Sequence, residues 1–198
     1  MNETKFIRLV DFLSIVLLLA FTSIPAASSA LTIEGNDYPE TVTVAGKQLK
    51  LVGAGMRVKW FLDVYTMGAY TVSGSCSIGA IRNKDEVKYL RINMLRTVSK
   101  KNMAKALNEA LTNNTPKNAS DELKKQIAVF VSYVDRCPKG TLMEMVYIPG
   151  KGTALKHNGK QHGAYVPGKA FAKVLWDCYF SPKTCCKSLK SDILKSCK

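Results

Sequence analysis

Two periodicities run through this chain, and they are segregated rather than interleaved. Apolar residues recur at every second position through much of Glu40–Leu95 and again from about Thr141 to Val166. They recur at helical spacing between Ser99 and Val134, and again after Pro167. Strand side chains alternate faces, whereas helical ones share a face at i, i+3 and i+4. The order is therefore strands, two helices, a three-stranded meander, then helices. Segregated runs of this kind argue α+β rather than alternating α/β. No internal repeat or low-complexity segment interrupts them.

The individual segments carry their own punctuation. Glu40–Ala45 and Gln48–Val52 alternate around Ala45-Gly46-Lys47 and read as a hairpin. Met56 to Val72 reads as one long, bent strand with Gly68 as a candidate bulge. Val87–Leu95 alternates again. Ser99 is placed to cap a helix carrying Met103, Ala106, Leu107, Ala110 and Leu111, stopped by Asn113-Asn114-Thr115-Pro116. Ser120-Asp121-Glu122 starts a second, with a cap and two acids at the positive end of the dipole. Its stripe is Leu123, Ile127, Phe130, Val131 and Val134. Strands are expected over Thr141–Ile148, Thr153–His157 and Lys160–Val166. Pro167 fits the first turn of a further helix. A last helix is expected over about Thr184–Lys195.

Residues 1–30 read as a secretory signal peptide. Lys5 and Arg8 precede the apolar run Phe12–Phe21, Pro25 breaks it, and Ser28-Ser29-Ala30 offers small residues for cleavage near Ala30. The run is too short to cross a bilayer. The expected product is exported, periplasmic or secreted, and comprises residues 31–198 as a single domain with a Cys/Lys-rich C-terminal helix. It keeps 27 basic against 13 acidic residues, the whole net charge of +14. From Gly150 onward there are ten lysines and only Asp177 and Asp192. The lysine-rich face reads first as a solvated surface. It also permits weak contact with an anionic membrane surface. No nucleic acid is expected, because nothing resembles a binding module and aromatics are not interleaved with the lysines.

Six cysteines remain, Cys76, Cys137, Cys178, Cys185, Cys186 and Cys197, and an even count in an exported chain makes them disulfide candidates. If the last helix continues to the end, Cys186 and Cys197 lie too far apart to pair with each other. At least one C-terminal cysteine is then expected to reach back to Cys178, Cys137 or Cys76, with Cys178 the expected partner. His157 and His162 flank the Asn158-Gly159 turn and read as neighbouring, exposed hairpin residues. Two imidazoles are too few for a metal site, and no metal or cofactor is expected.

The stretch Gly53-Ala54-Gly55-Met56-Arg57 places an arginine just past a Gly-x-Gly turn, thirteen residues before Tyr70. On one straight strand these two side chains would face opposite ways; a bend or bulge between them would let both enter one cavity. A guanidinium and a phenol converging in an apolar pocket would hold a carboxylate or phenolate.

The run Val44-Ala45-Gly46-Lys47-Gln48-Leu49-Lys50-Leu51-Val52-Gly53-Ala54-Gly55-Met56-Arg57-Val58-Lys59-Trp60-Phe61, then Val64-Tyr65-Thr66-Met67-Gly68-Ala69-Tyr70, then Val146–Thr153 with Asn158-Gly159-Lys160, and Val166–Phe171, resembles the chalcone isomerase family. The similarity is strongest to its bacterial, secreted chalcone isomerase-like branch and runs from about Leu31 to Leu189. It implies an open-faced sandwich, an antiparallel sheet with helices packed on one face and a ligand cleft between. Of the family's catalytic groups only the arginine carries over, as Arg57. Met103 stands at the place of the catalytic tyrosine, Ala110 near that of the asparagine, with Asn108 close by, and Cys178 near the late hydroxyl position. A methionine cannot donate a proton as a phenol can.

The family's fatty-acid-binding branch needs less: an arginine and a tyrosine for the carboxylate, and an apolar tunnel. The resemblance thus implies a secreted, non-catalytic protein binding a small apolar or phenolic acid, fatty-acid-like, through Arg57 and Tyr70. Tyr65, Met103 and Leu107 are further candidate ligand residues, and Leu111, Phe130 and Phe171 candidate tunnel walls. One alternative is an intramolecular lyase or isomerase acting on a phenolic or enone substrate with Arg57 as electrostatic catalyst. Another is a cell-envelope structural or interaction module with a vestigial cleft.

Overall fold

Seven strands form one antiparallel meander: β3 (Thr41–Val44), β4 (Lys47–Lys59), β5 (Leu62–Thr71), β6 (Lys88–Met94), β7 (Leu142–Ile148), β8 (Gly152–His157) and β9 (Lys160–Val166) lie side by side in that order. A hairpin of β1 (Ala30–Ile33) and β2 (Asn36–Pro39) precedes it as a separate two-stranded sheet. The helices are α1 (Ile78–Asn83), α2 (Lys100–Asn114), α3 (Asp121–Ser132), α4 (Lys169–Phe180) and α5 (Lys187–Lys195). The structure is a computed structural model and describes residues 30–197. The expected signal segment lies outside the described residues.

One sheet face and the helices enclose the main core. Met67, Leu90, Ile92, Met143, Met145 and Leu155 from the strands meet Leu111, Ile127, Phe130, Phe171, Trp176 and Ile193 from the helices. The opposite face holds a second apolar cluster. Tyr70, Tyr89, Leu49 and Val146 are covered there by Tyr38 and, more loosely, by Leu31 and Ile33 of the β1–β2 hairpin. The fold is the expected α+β sandwich, and the hairpin is the part that strands this short could not signal in sequence.

Local chemistry explains most boundaries. The Ser99 hydroxyl accepts from Asn102 N at 3.3 Å and the Ser120 hydroxyl accepts from Leu123 N at 3.2 Å, so both helices are capped where expected. α4 starts at Lys169, with Gly168 as its N-cap at φ 94°. The long strand expected over Met56–Val72 is instead two strands folded back at Trp60-Phe61. Gly68 is not a bulge; the register shifts fall at Leu51/Gly53 and Arg57/Val58 of β4. What Gly68 provides is space, because a Cβ there would overlap the Tyr38 ring.

Gly53 and Gly55 have the same function toward α5. A Cβ on Gly53 would overlap the Ile193 carbonyl, and one on Gly55 would come 2.7 Å from Asp192 Cβ. Both glycines let the last helix lie directly on β4. Ser196 ties this contact from the helix side: its Oγ accepts from Ala54 N at 3.1 Å. Beyond it, a disulfide joins Cys197 to Cys76, ahead of α1. A C-terminal cysteine thus reaches back into the domain, and Cys186 and Cys197 do not pair. The partner is Cys76 rather than Cys178, because Cys178 lies inside α4 with its thiol directed to the Val174 carbonyl at 3.3 Å. Cys137, Cys178, Cys185 and Cys186 are free.

Candidate functional site

A cavity of about 580 Å³ opens between the β4–β5 end of the sheet, α2 and the loop joining α4 to α5. That volume suits a small or medium apolar ligand. Val64, Tyr65, Met143 and Met145 form its sheet wall, and Met103, Leu107 and Ala110 its α2 wall. Tyr179 and the thiols of Cys178, Cys185 and Cys186 close the far side. The rim carries Arg57, Lys59, Arg96 and Lys105 against a single acid, Glu109, which sits 4.0 Å from Lys105.

Arg57 and Tyr65 stand directly opposite each other on β4 and β5. They project to one face, the helix side, and both line the cavity. Arg57 donates to the Val58 carbonyl at 3.4 Å, and no carboxylate among the described residues forms an ion pair with it. A partly buried guanidinium in that setting has donors to spare for an anion. The Tyr65 hydroxyl lies 3.9 Å from the Cys186 thiol. Burial pushes this phenol well above its ordinary range, and the Cys186 thiol adds to the effect. Tyr65 therefore stays neutral and available as a donor.

Tyr70 does not join them. Five positions beyond Tyr65 on an unbroken strand, it faces the other side of the sheet. There it is fully buried, its ring 5.6 Å from that of Tyr89, and its hydroxyl makes no hydrogen bond among the described residues. Burial raises its pKa as well. The cleft expected for Arg57 and Tyr70 thus holds Arg57 and Tyr65. Met103 and Leu107 do line it, whereas Leu111, Phe130 and Phe171 are packed core.

The sequence marks Cys185 and Cys186 as disulfide candidates and carries no signal that the pair lines a cavity. Cys185 Sγ and Cys186 Sγ are 2.9 Å apart at the cavity wall. Cys186 N donates to the Thr184 hydroxyl at 3.1 Å, and that hydroxyl donates to the Cys178 carbonyl at 2.8 Å, which fixes the turn. The hydrogen bond from Cys186 lowers the Cys185 pKa, helped by the nearby Arg57 charge, while Cys186 is held protonated. His157 and His162 do meet, with ring centroids 4.4 Å apart, but His157 is buried rather than exposed because β9 and Cys137 cover it. Burial, then His162, pushes its pKa down. No cluster among the described residues has the ligands for a metal ion.

The comparisons decide the lineage. Residues 30–195 match the family model described as chalcone isomerase-like. The chain belongs to the chalcone isomerase-like family. Among solved structures it is similar to the fatty-acid binding protein AtFAP1 of Arabidopsis thaliana, at 17% identity and a TM-score of 0.66. The superposition covers 84% of this chain and 96% of that one, a likeness of fold. No curated protein matches the sequence. In this chalcone isomerase-like chain, Met103, Ala110 and Cys178, at or near the places expected for catalytic side chains, all line the cavity, while Asn108 is exposed and outside it.

Proposed function

We propose that this chalcone isomerase-like protein is a non-catalytic carrier or sensor of a small apolar acid, fatty-acid-like, held in the Arg57 cavity. The observation that carries this reading is Arg57 itself: a guanidinium with no carboxylate partner among the described residues, at the mouth of a cavity whose walls include methionine, valine, leucine and tyrosine. The carboxylate would take the guanidinium fork, the Tyr65 hydroxyl would supply a further donor, and the tail would lie against Met103, Leu107, Met143 and Met145. The fatty-acid-binding structure with the same fold supports the ligand class.

Methionine, alanine and a thiol at or near the family's acid–base positions support binding over ring closure. The Cys178 thiol is raised by burial and is a poor proton donor or base near neutrality. Export of the chain after cleavage near Ala30 is part of the same proposal. Native mass spectrometry of the purified protein tests it. A co-purified, singly bound long-chain acid is expected, with titrated hexadecanoic acid occupying the same single site. A protein that emerges empty and takes up no acid at micromolar concentration would end this reading.

A further inference from the structure

The tip of the β4–β5 hairpin presents two aromatic rings to solvent. Trp60 is 82% exposed, Phe61 99% and the adjoining Leu62 49%. Both tip residues are in the left-handed region, at φ 52° and 62°, where bulky side chains are rarely held. Three other two-residue tips in the described chain use the same backbone: Glu34-Gly35, Ala45-Gly46 and Asn158-Gly159. Each has glycine second, as this turn prefers. The β4–β5 tip alone of these four forgoes glycine, and it exposes aromatic surface that contributes nothing to the core. Strain combined with exposed apolar surface marks a contact site rather than a folding device.

The charge around the tip identifies the contact. Lys59 adjoins Trp60, and Arg96 and Lys105 share the cavity rim with Trp60 and Leu62. Asp63 and Glu109 are the nearby acids, and Glu109 faces Lys105. The chain as a whole carries +14. Aromatic rings flanked by cations suit the boundary between anionic headgroups and acyl chains, where tryptophan and phenylalanine partition and lysines meet phosphate.

We propose that the Trp60-Phe61 tip docks this protein on an anionic lipid bilayer, its rings among the headgroups and Lys59, Arg96 and Lys105 against the lipid phosphates. The cavity mouth then faces the membrane, so an apolar ligand can pass between bilayer and cavity without crossing water. The tip and its charges present this surface whether or not the cavity holds a ligand.

Tryptophan fluorescence reads this contact directly. The chain has two tryptophans, and Trp176 lies on α4, buried in the core and shielded from lipid. Vesicles of phosphatidylcholine with one-third phosphatidylglycerol are added to the full chain with no free acid present. Trp60 emission should shift to the blue and be quenched by lipids brominated on the acyl chain. Pure phosphatidylcholine should need at least tenfold more lipid for the same response. Phe61→Gly should weaken the response at least threefold, and Trp60→Asn should remove the quenched component. Quenching by lipid reports the position of Trp60, whatever residues 1–29 contribute to vesicle association. Association with vesicles while Trp60 stays unquenched would overturn the proposal. So would equal responses to neutral and anionic vesicles. A blue shift that rises with protein concentration in the absence of lipid would assign the tip to a second copy of the chain instead.

Discussion

Arg57 and Tyr65 meet because they are register partners, and Tyr70 is excluded because five steps along a strand reverse the facing. Parity was visible in the sequence; the place where the chain turns was not, and without it the parity could not be applied across Trp60-Phe61. Two substitutions separate the sheet's faces. Tyr70→Phe removes a buried hydroxyl that has no hydrogen-bond partner among the described residues. It should leave acid binding unchanged and alter stability by no more than about 1 kcal/mol, with stabilisation the favoured sign. Gly53→Val acts on the other side. Its Cβ meets the Ile193 carbonyl, a backbone atom that cannot swing away, so α5 must lift from β4. A loss of roughly 2–3 kcal/mol is expected in urea unfolding, the usual cost of overpacking.

Among the elements, those with chemical stop and start signals were legible. Ser99 and Ser120 cap as expected, and the β8–β9 hairpin turns at Asn158-Gly159. β1, β2 and α1 were not, since four to six residues are too few to display a period. The β4–β5 turn was hidden because Trp-Phe carries none of the usual turn chemistry. Replacing it by Asn-Gly (Trp60→Asn with Phe61→Gly) should raise stability by on the order of 1–2 kcal/mol, by relief of left-handed strain. Thermal unfolding of the double variant checks this, and an unchanged or lower midpoint would contradict it. β6 carries a pH signature as well. Lys88 is buried, donates to the Ile81 carbonyl at 2.7 Å and lies 5.3 Å from the Trp176 ring centre. Burial lowers its pKa from 10.5 to about 8. Between those values the unfolded chain holds a proton that the folded chain has released, so this group's contribution to stability rises with pH. The stability of wild type relative to Lys88→Met should therefore climb by about 1 kcal/mol per pH unit from pH 8 to 10. A flat difference across that range would show that Lys88 titrates normally.

For the whole molecule, the sheet, the helix layer and the cleft between them follow from segregated periodicities and from the family resemblance. The Cys76–Cys197 bridge does not follow, because only the packing of α5 across β4 brings those ends together. The cavity combines a cationic mouth with apolar walls, and Met103 and Cys178 line it at or near the places where the family resemblance leads one to expect acid–base groups. Lost general acids and bases remove factors of roughly 10²–10⁴ each, so chalcone incubated with the protein should cyclise at the background rate. Turnover sensitive to Arg57→Ala would instead establish an enzyme. Carboxylate recognition by Arg57 is tested by calorimetric titration of wild type and Arg57→Ala with hexadecanoic acid and with hexadecanol, which share a tail and differ in the headgroup. Wild type should prefer the acid by about 1.5–3 kcal/mol, the scale of a hydrogen bond to a charged group, and Arg57→Ala should lose that preference while still binding the alcohol. Equal acid preference in the two proteins would contradict the account.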